Sequence, residues 1–439
     1  MSAGSKSAPE LLVAMPGRVD DPPWRAAAVL VLMLAATTGL SQFFRASTTV
    51  IAPELIRDLA LSPEMLGFAG ACFFLALGAA QVPVGILFDR IGARWTVAGL
   101  AGVAVAGAVL HASIETGRGL ALARFVLGLG HGGSFMATVF LISRWYPRAR
   151  WSTALSWVFA ASMIGIAAAG TPLALLAERL GWRMAFVMMA GVQAIVGLLF
   201  LALVRDDPPG ARPAARSRET LSAALNGFVT IVRLPGLLRV MALQFFAYAV
   251  LATMMGLWAG PYLHDVHGLT PVARGNVLIG MAVAQTIGVL VTGPLDRLFN
   301  TRKWVAAGGA TATIATLLAL AAMPRPPVAV AIGLLILLCA VSAYGVVVVS
   351  HGRTFYPEPL AGRGATTFNM AQVLGCALMP IGTGFIPGFF PRTTLGYAAE
   401  AYQWIFAGIA AALALGLAVY LTSADAKPLV LTVDPARTE

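Results

Sequence analysis

Gly85-Ile-Leu-Phe-Asp89-Arg90-Ile-Gly92-Ala-Arg94 lies between two long apolar stretches, and a degraded copy follows as Gly293-Pro-Leu-Asp296-Arg297-Leu-Phe-Asn-Thr-Arg302-Lys303. A short charged loop between membrane spans, repeated half a chain later, is the trace that duplication of a helical bundle leaves behind. A second pair of markers agrees with the first. Ser143-Arg-Trp-Tyr-Pro147 and Gly352-Arg-Thr-Phe-Tyr-Pro357 set their prolines 210 residues apart, while Asp89 and Asp296 are 207 apart. Two unrelated markers thus give nearly one period. Parallel repeats of this kind are related by an axis along the membrane normal, with a solute site between them near the midplane.

Composition restricts the class in the same direction. Of 439 residues, 59% are hydrophobic and 11% charged, with mean hydropathy +0.82, against about a quarter charged in an ordinary soluble domain. At roughly 20 apolar residues per span, twelve spans fit between residues 26 and 422. The fold class this predicts is an all-α membrane protein of twelve transmembrane helices in two pseudo-symmetric six-helix bundles. The divisions are an N-terminal tail (1–25), the first bundle (26–203), a linker (204–238), the second bundle (239–422) and a C-terminal tail (423–439). The linker is the longest polar stretch, rich in Pro, Gly and Arg, and residues 221–235 regain the periodicity of a surface helix. The first 25 residues lack the basic start, apolar core and cleavage site of a signal peptide.

A net charge of +11 invites a nucleic-acid partner, but the cations are placed by topology. With the start inside, 21 of the 30 Lys and Arg fall in inner segments, which satisfies the positive-inside rule with both termini cytoplasmic. Cys72, Cys339 and Cys376 are far apart within spans and suggest neither a disulfide framework nor a metal site. His264, Asp265 and His267 in one outer loop are too few for a metal centre. Three Lys beside 27 Arg, with abundant Ala and Gly, suggest a GC-rich bacterial genome and an inner-membrane home.

These residues resemble the major facilitator superfamily over about residues 25–422. Its loop signature between helices 2 and 3 matches Gly85, Asp89, Arg90, Gly92 and Arg94. Its helix 4 signature matches Arg124-Phe-Val-Leu-Gly128-Leu-Gly130, and Gly181-Trp182-Arg183 with Phe186 is usual at helix 6. Glycines in the loop allow a tight turn and close helix approach. Asp89 can face the positive end of a neighbouring helix, and the arginines can pair with acids or lipid phosphates. The resemblance implies that this neighbour is helix 11, beginning near Gly362, and that the loop latches the inner gate. Asp296 and Arg297 form the weaker latch, because Asp296 follows its glycine by three residues rather than four. Topology alone also explains Arg90 and Arg94, and the two roles are compatible.

An ionisable side chain inside a span is a functional candidate. Arg45 lies about two thirds of the way across helix 1, Arg124 inside helix 4, and His131 seven residues on, sharing a face with Arg124 about 10 Å deeper. No Asp or Glu falls at mid-span; Glu54, Glu178 and Asp265 stand near outer ends. A cavity with a guanidinium and no carboxylate attracts anions. The chain is similar to organic-anion symporters of the superfamily, whose pattern places His131 where their proton-binding Glu stands and Phe44 where an acid often precedes the helix 1 Arg. His titrates near neutral pH and can carry the proton instead.

The substrate-binding candidates are therefore Arg45, Gln42, Gln244, Tyr248, Tyr344 and Asn369, joined by Ser134, Thr138, Trp157 and Gln372, with His131 and Arg124 assigned to proton coupling. Each also has an ordinary structural reading: a snorkelling Arg45, an Arg124 that organises the bundle, a His131 that packs. His111, His264, His267 and His351 at span ends read as solvated. Gly165, Gly170 and Pro172 resemble the bend of antiporters with imperfect spacing, so import and export both stay open. No nucleophile elbow, phosphate loop or zinc-protease motif is present, and no cofactor is expected. The expected activity is that of a monomeric secondary transporter, not an enzyme, with a small solute, a proton or other coupling ion and membrane lipids as partners. Alternatives are a proton-driven exporter of hydrophobic drugs or metabolites, an assembly factor, and a transporter-like receptor.

Overall fold

The computed structural model describes residues 24–147, 150–208, 230–356 and 361–428. The first 23 residues, linker residues 209–229 with Arg212, Arg216 and Arg218, and the tail from 429 lie outside the described residues, as does most of the expected surface helix. The membrane helices are α1 (Trp24–Asp58), α2 (Pro63–Ile91), α3 (Ala93–Ala112), α4 (Gly117–Trp145), α5 (Trp151–Ala169) and α6 (Thr171–Leu203) in the first half. The second half holds α7 (Leu237–Asp265), α8 (Pro271–Leu298), α9 (Lys303–Ala322), α10 (Val328–Phe355), α11 (Gly364–Phe389) and α12 (Ala399–Leu421).

As a helical stretch, Thr153–Leu203 runs for 51 residues, far longer than a bilayer crossing needs. The chain breaks it twice. Gly170 (φ −81°, ψ −120°) leaves the helical region, and Gly181 (φ 79°, ψ 152°) takes a conformation that L side chains avoid. Residues 171–180 complete the fifth crossing, and the sixth begins at Trp182. The result is twelve crossings in two six-helix bundles.

Pairing within the halves follows one pattern. In the first, α1 packs on α5, α2 on α4 and α3 on α6; in the second, α7 packs on α11, α8 on α10 and α9 on α12. Adding six to each helix number converts one set into the other. Between the halves, α2 lies on α11 and α8 on the fifth crossing around Gly170, again a symmetric pair. The helix starts repeat as well. Ser62 accepts from the Met65 N–H ahead of Pro63, and Thr270 accepts from the Ala273 N–H ahead of Pro271; each is an N-cap with proline in the first turn.

Helices in a bilayer gain little from apolar burial against one another, so association rests on close packing. Glycines supply it here. A Cβ on Gly165 of α5 would meet the Gly39 carbonyl of α1 at 1.8 Å, and one on Gly375 of α11 would meet the Phe245 carbonyl of α7 at 1.7 Å. These are the equivalent contacts of the two halves. Overpacking of this kind costs about 1–3 kcal/mol. Gly375→Val is therefore expected to lower the thermal midpoint in detergent by several degrees, whereas Gly333→Val, with open space around it, leaves it nearly unchanged.

Candidate functional site

At mid-depth, where the two halves meet, side chains from α1, α2, α4, α5, α7 and α11 enclose a cavity of about 140 Å³. Its polar lining is Thr38, Ser41, Gln42 and Arg45 from α1, Gln81 from α2, His131 and Ser134 from α4, Tyr248 from α7, and Asn369 and Gln372 from α11. Phe74, Leu77, Phe135, Phe159 and Val373 form apolar wall. Arg45 is the one permanently charged side chain among the lining residues, and none of them is a carboxylate. Its Nη1 donates to the Tyr248 hydroxyl at 3.1 Å, across the junction of the halves, and its guanidinium lies 5.4 Å from the centroid of Phe74. The ring face and the hydroxyl offset part of the cost of holding the cation there.

Local sequence explains how His131 reaches this cavity. α4 is interrupted by a turn at Gly132 and Gly133, both still in the right-handed helical region, and resumes at Ser134. A Cβ on Gly132 would lie 2.4 Å from that of Ala80 on α2, so the break also brings the two helices together. The imidazole sits beside Phe44 and Phe73, with centroids 5.3 and 6.3 Å away. Gly128 and Gly130, on opposite faces of α4, press on the backbones of α2 at Phe73 and α3 at Ala104. Arg124 is 1% exposed. Its Nη1 donates to the Phe44 carbonyl at 2.5 Å, and its guanidinium lies 4.8 Å from the Phe73 ring centroid. It braces α4 against α1 behind the cavity wall rather than lining the cavity.

Gln42, Tyr248, Asn369, Gln372 and Ser134 stand in the lining. Gln244 is buried one step away, its Nε2 donating to Gln372 Oε1 at 2.7 Å, and Thr138 pairs with Thr38 at 3.2 Å. Two residues expected in the cavity stand elsewhere. Tyr344 is fully buried against Gly309, packed between α10 and α9. Trp157 is 57% exposed and lines an apolar groove between α1 and α5. Two histidines expected to be solvated are buried instead: His111 stacks on Phe186 at 3.9 Å, and His351 meets the Tyr420 hydroxyl at 2.7 Å and the Ala424 carbonyl at 3.0 Å. Gln81 is a lining residue that the sequence reading missed; its signal was an amide inside an apolar run.

The junction is sealed on the side away from the termini. Arg274 of α8, 2% exposed, donates through Nη2 to Glu54 Oε1 at 2.6 Å and to the Val50 carbonyl at 3.0 Å, both on α1. Thr49 donates to the Met255 carbonyl at 2.5 Å, Thr171 to Asn276 at 2.5 Å, and Arg392 to the Leu61 carbonyl at 2.9 Å. Each contact joins one half to the other. Arg274 was legible as an arginine two residues inside a span, but the sequence offered no means of pairing it with Glu54.

The charged loops are fastened to the last helix of their own half. Gly92 closes α2 with φ 92°, and a Cβ there would lie 1.8 Å from Asp206 Oδ2. Asp206, just past α6, accepts from the Arg94 N–H at 2.8 Å, while Arg94 Nε donates to the Leu201 carbonyl at 2.7 Å. Asp207 pairs with Arg144 at 3.0 Å. In the second half Asp425, just past α12, accepts from the Lys303 N–H at 3.0 Å and from Thr301 at 2.7 Å. Asp206 and Asp425 thus cap α3 and α9 from outside their own helices, where the N-terminal dipole favours negative charge. Burial works against the charge on Asp425, but the Thr301 and Lys303 hydrogen bonds outweigh it and hold the carboxyl below its ordinary value. Asp296 is buried and pairs with Arg302 at 3.3 Å within its own loop; Arg297 is exposed. Gly85 faces Met136 of α4, Asp89 is half-buried and Arg90 exposed.

Twelve crossings in two equivalent bundles, with a small polar cavity at their junction, define a membrane carrier. The family model of the Major Facilitator Superfamily matches residues 34–380, and the chain belongs to that superfamily. It is 25% identical over 211 residues to the probable galactarate/D-glucarate transporter GudP of Escherichia coli (strain K12), a match spanning 45% of each chain. It is 24% identical over 348 residues to a putative tartrate transporter of Agrobacterium vitis, covering 75% of this chain and 77% of that one. An MFS-type efflux pump of Mycolicibacterium smegmatis is 30% identical over 285 residues, covering 62% of each. Among solved structures, a bacterial homologue of the human lysosomal transporter Spinster, inward-facing and occupied, superposes with TM-score 0.72 at 18% identity, over 90% of this chain and 96% of that one.

Removing one partner of a buried ion pair costs about 3–5 kcal/mol in a closed interior, and less at a partly solvated site such as Glu54. Arg274→Met is expected to loosen the seal. A cysteine at Thr49 should then react several-fold faster with a membrane-impermeant maleimide applied from the side opposite the termini.

Proposed function

We propose that this chain is a secondary carrier that moves a small, polar organic anion across a bacterial inner membrane by alternating access. The observation that carries this reading is the charge of the cavity: Arg45 stands at the junction of the halves, and no lining residue is a carboxylate. A guanidinium in low dielectric draws carboxylate or phosphate oxygens and can hold them through two parallel bonds. A solute held by Arg45 on α1 and Tyr248 on α7 touches both halves at once, so its binding can shift the balance between their arrangements. The relatives named for tartrate and for galactarate/D-glucarate support an anionic solute.

The cation distribution supports a cytoplasmic location for both termini. On that orientation the ties through Arg274, Thr49 and Arg392 close the outer side, and the state described is the one shut to the exterior. The loop at Asp89 and Arg90 is assigned to the inner gate, with Gly85, Gly92 and Arg94 shaping it and Asp296 and Arg297 in the weaker copy. His131, in the cavity wall, is assigned to proton coupling, with Arg124 as its brace. The carrier works as a monomer among membrane lipids, with a proton or other ion gradient as the energy source.

Export of hydrophobic compounds is the second reading, favoured by the relative named an MFS-type efflux pump. A polar cavity of about 140 Å³ weighs against it, since drug-sized ligands occupy about 300–1,000 Å³. Purified protein in liposomes, offered organic acids and cationic dyes, separates the two. Arg45→Ala is expected to lower saturable uptake of an organic acid by roughly thirtyfold or more, because truncating a buried charge contact costs about 2 kcal/mol or more. Dye transport untouched by that substitution would favour export. His131→Gln should uncouple uptake from a pH gradient while exchange of labelled solute survives; an unaltered pH response removes His131 from the coupling step.

A further inference from the structure

The cavity wall contains buried polar atoms that no described residue satisfies, and their identities specify more than a charge. Arg45 uses Nη1 on Tyr248, while its Nε is buried without a partner. The Nε edge of the guanidinium is therefore left uncommitted by the described side chains, and a carboxylate binding at Arg45 would engage it. Tyr248 accepts from Arg45 through its oxygen and keeps its own hydrogen to donate to the same group. Three residues earlier on α1, hence on the same face, Gln42 Oε1 is also buried without a partner. An amide oxygen only accepts, so what satisfies it must bring a donor, and a hydroxyl does so. On the facing wall, α11 supplies Asn369 and Gln372. These amides exchange hydrogen bonds with hydroxyls, but they cannot offset a second negative charge in a low dielectric. Arg124 cannot supply that charge compensation, being 1% exposed and turned to the Phe44 carbonyl, and His131 is the one other lining residue able to carry positive charge, so the selectivity is that of the cavity with a neutral imidazole.

We propose that the cavity selects a compact hydroxylated monocarboxylate and discriminates against the dicarboxylate of the same carbon chain. Arg45 and Tyr248 hold the single carboxylate, and Gln42 with the α11 amides reads the hydroxyls. This inference rests on the organic-anion reading and names the substrate class of the same site.

Gluconate and glucarate test it, since they differ only in whether C6 is a hydroxymethyl or a carboxylate. Thermal shifts of the full chain in detergent, titrated at about pH 7.5, roughly a unit above the ordinary imidazole value, would be compared for gluconate, glucarate, benzoate and a cationic dye. Gluconate is expected to bind at least about tenfold more tightly than glucarate, ~1.4 kcal/mol. Gln372→Arg, which adds a cation to the facing wall, should narrow or reverse that ratio. Equal or tighter binding of glucarate by the unaltered protein overturns the proposal. A shift with benzoate but with neither sugar acid overturns the hydroxyl requirement and leaves the anion reading standing. A shift with the dye alone, or with none of the four, sinks both.

Discussion

A guanidinium held at mid-depth between two helical bundles, with no carboxylate in the cavity beside it, is the constraint around which the site is arranged. Placing Arg45 there is costly in a low dielectric, and the protein offsets part of that cost with the Tyr248 hydroxyl and the face of Phe74. Because Tyr248 belongs to the other half, the contact that steadies the charge also ties the halves together. On the proposed reading, an anion at Arg45 would enter a hydrogen bond that spans the junction. Charge recognition and movement of the halves would then share one pair of side chains.

The surrounding framework makes such a junction possible by controlling backbone distance. Gly165 on Gly39 and Gly375 on Phe245 bring equivalent helices into carbonyl contact in the two halves, so each bundle is tightly packed within itself. Between the bundles, the described polar ties other than Arg45 with Tyr248 gather on one side, at Arg274 with Glu54, Thr49 with Met255 and Arg392 with Leu61. Apolar side chains of both bundles also meet across the junction in one continuous cluster. At the opposite end, Asp206 and Asp425 fasten each charged loop to the last helix of its own half. Each loop is thereby fixed to its own bundle.

Much of this was legible in the chain because it depends on local chemistry. Arg45 stands out as a cation in an apolar run, and the duplicated Asp-Arg loop records the repeat through spacing alone. The missing signals were pairings between distant segments. Arg274 and Glu54 are 220 residues apart, and neither marks the other. Asp425 reads as part of a tail until the fold sets it over the start of α9. Tyr344 and Trp157 look like cavity residues because a polar or aromatic side chain in a membrane helix can face a cavity, a neighbouring helix or lipid. Helical periodicity says which residues share a face, not what that face meets.

The sequence by itself determined the number of crossings, the two-fold repeat and the sign of the charge at the centre, because hydropathy, spacing and ionisation belong to residues wherever they lie. Tertiary structure alone decided which side of the junction is sealed, that Arg124 braces α4 while Arg45 faces the cavity, and that neutral amides stand opposite the cation. These depend on the rotation of each helix about its axis and on backbone approach at particular glycines. In a bilayer, where apolar faces do not by themselves select their partners, such features are set by packing between segments remote in the chain.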